Sequence, residues 1–171
     1  MILVFTGNGK GKTTASIGQI IRSLGHGNKV CLIQLFKGEA FYGEQNILTK
    51  LAGLDFFSYA KEHPFCVKTA TMEAAKSQCE PAIKKLSELA SGQKKYDLIV
   101  LEEFNIAVRD GFIDKTEFLE LIKKMSEKSD IVVTGRAALQ ELIEMADLVT
   151  EMKEIKHPYN NAISAKKGIE F

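Results

Sequence analysis

Short apolar runs alternate with longer amphipathic stretches along the 171 residues of the chain. The short runs have the length and bounding residues typical of buried parallel strands. They are residues 2–5, 30–36, 56–59, 96–101, 131–134 and 148–152. Between several of them, apolar residues recur at three- and four-residue spacing, which predicts helices. These helices are predicted at residues 13–24, 69–90, 114–125 and 139–146.

This alternation predicts an α/β fold with a mostly parallel sheet of about five to six strands. Helices are expected on both faces of the sheet, because right-handed crossovers between parallel strands place them there. The chain has the length of one domain, and no linker, internal repeat or low-complexity segment divides it. We therefore predict a single domain over residues 1–171.

Three segments leave alternatives open. The aromatic residues between 39 and 68, including Phe41 and Phe65, indicate either core packing around a strand at 56–59 or a lining for a bulky apolar ligand. Pro81 is compatible with the predicted helix only at a kink or in the first turn of a new helix. The tail from Lys156 to Phe171 is expected to add an edge strand or to cover the site.

The first strand is followed by Gly7-Asn8-Gly9-Lys10-Gly11-Lys12-Thr13-Thr14, which has the features of a phosphate-binding loop. Three glycines in five positions let the backbone turn tightly and direct its N–H groups inward. Lys12 brings a positive charge to the phosphates, and the Thr13 hydroxyl can ligate Mg²⁺ at the start of the helix. The general pattern G-x-x-x-x-G-K-[ST] fails by one position, since its first glycine falls on Thr6.

Polar side chains follow three other predicted strands. Lys37 comes after the second strand, the pair Glu102-Glu103 ends the strand at 96–101, and Arg136 follows the strand at 131–134. Carboxyl ends of parallel strands meet at one edge of the sheet, so these residues should converge on the loop. An acidic strand end is what a nucleotide-bound Mg²⁺ needs. Glu103 is the favoured metal ligand, and Glu102 is expected to support the metal ligands without binding the metal itself.

Composition excludes several classes of protein. A hydrophobic fraction of 45% with 26% charged residues is ordinary for a globular protein, and a net charge of +1 gives no electrostatic reason to bind nucleic acid or a membrane surface. The apolar start of the chain stops at Thr6, so we expect no signal peptide or membrane span and a cytoplasmic location. Cys31, Cys66 and Cys79 lack metal-site spacing and are interpreted as idle thiols.

The run from Thr6 to Thr14 resembles the phosphate loop of the ATP:corrinoid adenosyltransferases of the CobA/BtuR type, without the one-residue misfit. The likeness continues in the same order along almost the whole chain. It includes Arg22, Gly25-His26-Gly27, Gln34-Leu35-Phe36-Lys37-Gly38, Gly43-Glu44, Leu101-Glu102-Glu103-Phe104-Asn105, Thr134-Gly135-Arg136, Lys156-His157 and Lys167-Gly168-Ile169. A phosphate loop alone would be unspecific, whereas this ordered series is highly specific.

The resemblance implies a RecA-like P-loop NTPase fold and a transferase that moves the 5′-deoxyadenosyl group of ATP to the Co(I) of a reduced corrinoid, releasing triphosphate. This reaction forms or salvages adenosylcobalamin. Lys12, Thr13 and Glu103 are the implied catalytic residues, with Thr13 and Glu103 supporting Mg²⁺ or Mn²⁺. The implied nucleotide-binding set is Gly7, Asn8, Gly9, Lys10, Gly11, Lys12, Thr13, Thr14, Arg22, Lys37 and Arg136. A homodimer and a flavoprotein reductant are also implied.

Two departures from the family concern the corrinoid. Many members have an N-terminal extension that folds over the corrinoid; here the first strand starts at Ile2, so the cover is expected to be absent or supplied by a partner subunit. Members also use aromatic residues, including a tryptophan, to displace the lower axial ligand of cobalt. This chain has no tryptophan, and Phe57 and Phe65 are the candidate substitutes.

Two other functions remain as alternatives. A phosphoryl-transferring P-loop kinase or ATPase would use the same loop and acidic strand end, but the glycine spacing and the lack of an evident base for an acceptor disfavour it. On its own, without the resemblance, Arg22 is typical of a solvent-facing helix charge. A non-catalytic module that binds corrinoid or nucleotide is the other alternative.

Overall fold

The computed structural model describes residues 1–38, 42–61, 63–64, 71–92 and 94–171. Phe41, Phe65 and Cys66 lie outside this part of the chain, as do residues 69 and 70 at the start of the third predicted helix. No helix within the described part is both long enough and apolar enough to cross a membrane.

Six strands form one sheet in the described residues, and every pairing between them is parallel. They are β1 Ile2–Thr6, β2 Val30–Leu35, β3 Leu54–Tyr59, β4 Leu98–Glu102, β5 Asp130–Thr134 and β6 Leu148–Glu151. Their order across the sheet is β3-β2-β4-β5-β1-β6. The predicted α/β class and the predicted strands are confirmed, and the sheet is parallel throughout.

Six α-helices accompany the sheet in the part of the chain that the structure describes. They are α1 Lys12–Gly25, α2 Gln45–Leu48, α3 Met72–Ala90, α4 Phe104–Arg109, α5 Lys115–Ser126 and α6 Gln140–Met145. The sequence did not predict α2 and α4, because four and six residues are too few to establish a helical period. The possibility that a new helix begins at Pro81 is wrong, since α3 continues through it.

The strands alternate their side chains between two apolar cores, one on each face of the sheet. Val4 and Ile33 pack with residues of α3, α4, α5 and α6 in the larger core, whereas Phe5 and Leu32 pack with Ile20 of α1 in the smaller one. Leu48 of α2 also belongs to the smaller core. Helices therefore cover both faces of the sheet, as predicted.

The aromatic residues of β3 belong to this packing. Phe56 contacts the smaller core and Phe57 the larger one, which supports the prediction of a strand at this position. Two thiols are also buried in the larger core, and burial raises the pKa of both Cys31 and Cys79 to about 12. Thiols with such pKa values are poor nucleophiles at neutral pH, in keeping with their interpretation as idle groups.

The packing of α5 against α4 gives a test of the larger core. Phe118 is fully buried, and its ring stacks on Phe104 with centroids 5.9 Å apart. We expect Phe118→Ala to lower the free energy of unfolding by about 3–5 kcal/mol, because the substitution leaves a cavity. Urea denaturation would measure this loss. Ile155→Ala is the control, since Ile155 is 90% exposed, and an equal loss in both variants would contradict this account.

Candidate active site

A cavity of about 670 Å³ opens at the carboxyl edge of the sheet, where β1, β2, β4 and β5 end. Residues from the whole length of the chain line it. They are Asn8 to Thr14, Ile17, Lys37, Tyr42, Gly43, Glu44, Ile47, Glu103, Arg136, His157 and Gly168 to Phe171. The end of the tail therefore lies over this site, and in the described residues the tail adds no strand to the sheet.

The loop between β1 and α1 is held against the chain that follows β6. The backbone N–H of Gly9 donates to the carbonyl of Met152 at 2.6 Å. A Cβ atom on Gly9 would lie 2.7 Å from that same oxygen, and Gly7, with a φ of +98°, would also overlap the Met152 backbone. Glycine is required at both positions because the two backbones touch.

Thr6 explains the departure from the general loop pattern. It is the last residue of β1, and its backbone is part of the sheet. Its hydroxyl accepts a hydrogen bond of 3.1 Å from the backbone N–H of Ala138. A position inside a strand needs no glycine, so the tight turn begins one residue later, at Gly7.

The Lys12 side chain curls into the loop from which it starts. Its Nζ donates to the carbonyl oxygens of Gly7 and Gly9, each at 2.8 Å, and the residue is buried. Burial lowers the pKa of Lys12, although the Glu103 and Glu102 charges act against that change. The ammonium group is thus held where an anion in the loop would meet it.

Glu102 is a buried carboxylate at the end of β4, only 1% exposed. Three hydroxyls donate to it: Thr13 to Oε1, and Ser16 and Thr134 to Oε2 at 2.9 and 2.8 Å. The Lys37 ammonium lies 3.6 Å from Oε1. A buried charge needs such partners, so Glu102 ties the first turn of α1 to the sheet.

Glu103 differs from its neighbour in both backbone and side chain. Its φ of +64° is in the left-handed region, which is uncommon and costly for a residue other than glycine. Its Oε2 atom is buried and has no hydrogen-bond partner among the described residues. Burial raises the pKa of Glu103, and the Glu102 charge adds to the effect.

Three further cations face the same cavity, as the sequence predicted. Lys37 is buried, with Nζ 3.1 Å from the Thr13 hydroxyl and 3.5 Å from Glu44. Lys10 and Arg136 are exposed and line the cavity. Four cations around a glycine-rich loop are suited to a polyanion such as a polyphosphate.

Arg22 and Phe57, in contrast, are not among the residues that line this cavity. Arg22 is exposed in the last turn of α1, and its guanidinium donates to Gln19 at 3.2 Å. Phe57 packs on the larger core, and the Lys85 ammonium lies 4.6 Å from its ring centroid. Phe65, the second candidate for a contact with the corrinoid, lies outside the described residues.

Sequence reasoning gave no role to Ser16 and Thr134, the two further hydroxyls on Glu102, although Thr134 is part of the Thr134-Gly135-Arg136 motif. Ser16 could have been found, because it lies one helical turn after Thr13 and so faces the same way. Thr134 immediately precedes Gly135-Arg136 at the end of a predicted strand, which was a weaker signal. A serine in a helix and a threonine in a strand are both ordinary, so the residue types gave no signal. Only the order of the strands in the sheet shows that both side chains contact Glu102.

A divalent metal fits this arrangement if it binds together with phosphate. Within the described part of the chain, no group of three or more His, Cys, Asp or Glu residues is placed to hold a metal ion alone. The buried Glu103 Oε2 atom nevertheless lacks a partner among these residues, and the Thr13 hydroxyl lies at the same cavity. Mg²⁺ commonly takes one or two protein oxygens and completes its shell with water and phosphate.

The whole chain is similar to one family of known proteins. A sequence model described as "ATP:corrinoid adenosyltransferase BtuR/CobO/CobP" matches residues 1–171. Proteins named corrinoid adenosyltransferase from Sinorhizobium sp, Pseudomonas aeruginosa and Escherichia coli (strain K12) are 37%, 35% and 30% identical to this chain. These alignments cover 100% of this chain and 80%, 83% and 85% of the three relatives.

A pair of glycine substitutions tests the loop. Gly9→Ala places a methyl group against the Met152 backbone, so we expect it to displace the loop and weaken ATP binding at least tenfold. Gly18→Ala is the matched control on the exposed side of α1, where a Cβ would have no described atom within 4 Å. It should bind ATP normally and gain about 0.5–1 kcal/mol of stability. Calorimetric titration would measure both affinities, and equal ATP affinities would contradict the assignment of the loop.

The raised pKa of Glu103 predicts how stability depends on pH. A carboxyl group with a raised pKa in the folded protein destabilises that protein at pH values above that pKa, where it is charged. We therefore expect Glu103→Gln to melt at a higher temperature than the wild type at pH 8. The difference should shrink as the pH falls through the raised pKa and vanish below about 4, near the ordinary glutamate value. Melting curves across pH would measure it, and a less stable variant at pH 8 would contradict this electrostatic account.

Proposed function

This chain belongs to the ATP:corrinoid adenosyltransferase BtuR/CobO/CobP family, and we propose that its 670 Å³ cavity binds ATP with the triphosphate in the loop. As a corrinoid adenosyltransferase it transfers the adenosyl group of ATP to cob(I)alamin. One observation carries the proposal for the site: Lys10, Lys12, Lys37 and Arg136 line the same cavity as the glycine loop, beside a buried carboxylate oxygen that has no partner in the described part of the chain.

The reaction does not need a nucleophile from the protein. Co(I) of the reduced corrinoid supplies the electron pair that forms the bond from cobalt to carbon 5′. The bond between carbon 5′ and oxygen breaks at the same time, and its electron pair stays on the triphosphate, which leaves. No Ser or Cys nucleophile is needed, in keeping with the high thiol pKa values of Cys31 and Cys79.

The protein must instead stabilise the negative charge that grows on the departing triphosphate. We assign this role to the loop from Gly7 to Thr14, whose backbone N–H groups and helix N-terminus favour anions. Lys12 would turn from the Gly7 and Gly9 carbonyls toward the phosphates. Lys10, Lys37 and Arg136 would add charge around the same group. Donors fixed in advance stabilise a developing anion without reorganisation, and this is often the largest single term in catalysis.

Thr13 and Glu103 are the residues that would hold Mg²⁺, with Glu102 orienting the Thr13 hydroxyl. The metal would neutralise part of the phosphate charge. This assignment is supported by the unpartnered Glu103 oxygen and by the hydrogen bond from Thr13 to Glu102. The role of Arg22 as a nucleotide contact stays a prediction, since its side chain lies apart from the cavity lining.

Several wider features are part of the proposal. A RecA-like P-loop NTPase fold is supported by the strand order, in which β5 separates the loop strand β1 from the acidic strand β4. Resemblance to the family supports a homodimer and a flavoprotein that supplies reduced cobalt, and a cytoplasmic location stays a prediction. A single domain over residues 1–171 is supported by the one sheet that runs from β1 to β6.

Analysis of the phosphate product tests this function. ATP, Mg²⁺ and a chemically reduced corrinoid should give the adenosylated corrinoid and inorganic triphosphate in equal amounts. Lys12→Ala should lower kcat by about 100-fold or more, the size seen when one preorganised donor to a developing anion is removed. Ion-exchange chromatography of the phosphates and the visible spectrum of the corrinoid would measure both products.

Lys124→Ala is the control, because Lys124 is an exposed lysine on α5, and we expect it to keep full activity. ADP and orthophosphate as the products would overturn the proposal in favour of phosphoryl transfer. Binding of both substrates without any product in a single turnover under strong reductant would favour a binding module.

A further inference from the structure

The hydroxyl of Thr134 links the backbone of one site glutamate to the carboxylate of the other. Thr134 is fully buried at the end of β5. Its Oγ1 accepts a hydrogen bond of 3.1 Å from the backbone N–H of Glu103 and donates one of 2.8 Å to Oε2 of Glu102. One side chain from a neighbouring strand therefore contacts both members of the acidic pair.

The sheet register explains why this threonine reaches both residues. Leu101 of β4 lies opposite Val133 of β5, so the next residues along the two strands, Glu102 and Thr134, are neighbours as well. Both continue the sheet face that α1 covers, because Val100 and Val132, two residues earlier, pack in the core beneath α1. At the next residue, Glu103, the chain leaves β4 in a left-handed conformation.

A second contact joins the same two segments. The Asn105 side chain is 1% exposed, and its Nδ2 donates to the carbonyl of Gly135 at 3.2 Å. A Cβ atom on Gly135, whose φ is +128°, would lie 3.0 Å from Cβ of Asn105. The turn that carries Glu103 is thus fixed against the end of β5, directly before Arg136 enters the cavity lining.

We infer that Thr134 is a positioning residue for adenosyl transfer: its hydroxyl directs the Glu102 carboxylate to the Thr13 hydroxyl and holds the Glu103 backbone so that its side chain faces the cavity. The inference rests on the proposed roles of Thr13 and Glu103 with Mg²⁺. Thr134 itself acts through these residues and has no contact with substrate in this account.

The competing explanation is that Thr134 only fills the core. Valine has nearly the same shape and suits a strand equally well, and Val132 and Val133 precede it on β5. A residue needed for volume alone could be valine. Thr134→Val would leave the Glu103 N–H without this acceptor, and Ser16 would be the remaining described hydroxyl on Glu102 Oε2.

The test compares Thr134→Val with Thr134→Ser, which keeps the hydroxyl. ATP binding is titrated calorimetrically at increasing Mg²⁺ concentration, and kcat and the KM for ATP are measured with reduced cobalamin. We expect Thr134→Val to need about tenfold more Mg²⁺ for half-maximal ATP binding, a size consistent with losing a hydrogen bond to a charged group. Thr134→Ser should stay within about threefold of the wild type.

A Thr134→Val protein that loses stability but keeps the wild-type Mg²⁺ dependence and kinetic constants would overturn the inference, since the role would then be structural. If Thr134→Val does not fold, Thr134→Ser decides. A folded serine variant with a tenfold weaker Mg²⁺ response would show that the methyl group matters and would overturn the inference, whereas wild-type behaviour supports it.

Glu103→Gln separates this inference from the proposed function. If Glu103→Gln leaves the Mg²⁺ dependence of ATP binding unchanged, the proposed metal role of Glu103 fails. If Glu103→Gln changes that dependence and Thr134→Val does not, only the role of Thr134 fails. In the double variant, an effect no larger than that of Glu103→Gln alone would show that Thr134 acts through Glu103, and additive effects would overturn that route.

Discussion

The buried carboxylate of Glu102 is the interaction on which the site depends. It is almost inaccessible to solvent, and a charge in that position requires hydrogen-bond donors around it. Thr13 and Ser16 supply two donors from the first two turns of α1, and Thr134 supplies a third from β5. These bonds set the distance between helix and sheet at the end where the glycine loop turns, so the loop geometry and the acidic pair are parts of one hydrogen-bonded unit.

Glu103 is the member of this hydrogen-bonded unit that favours the binding of a ligand. Burial, the neighbouring Glu102 charge and an oxygen without a partner among the described residues make its charged form unfavourable in the protein alone. Its left-handed backbone adds strain. Lys12 and Lys37 lie close enough to act against the rise in its pKa. Such stored strain is common where a site is organised for a ligand. A metal would give the Glu103 oxygen a partner, and a triphosphate that enters with the metal would pair with the surrounding cations.

Residues close together in sequence or at strand ends were predictable. Gly7, Lys12 and Thr13 follow from spacing, and the convergence of Lys37 and Arg136 follows from the rule that parallel strands share a carboxyl edge. Helices α2 and α4 could not be predicted, because neither is long enough to show a period. The sequence favoured Glu103 over Glu102 as the metal ligand, but it could not predict the hydroxyl partners of Glu102 or the left-handed backbone of Glu103. Alternation along a strand predicts opposite faces but not a left-handed step at its end.

The sequence by itself determined the alternation of strands and helices, the glycine-rich loop and the family, because each of these is recorded in local spacing or in the order of motifs. Only the tertiary structure decided that Thr134 bridges the two glutamates, that Arg22 lies apart from the cavity and that the tail from Gly168 to Phe171 lies over it. These facts depend on which strands are neighbours in the sheet and on where the C-terminal tail packs. Neither is recorded in the local sequence, because the residues in contact are far apart along the chain.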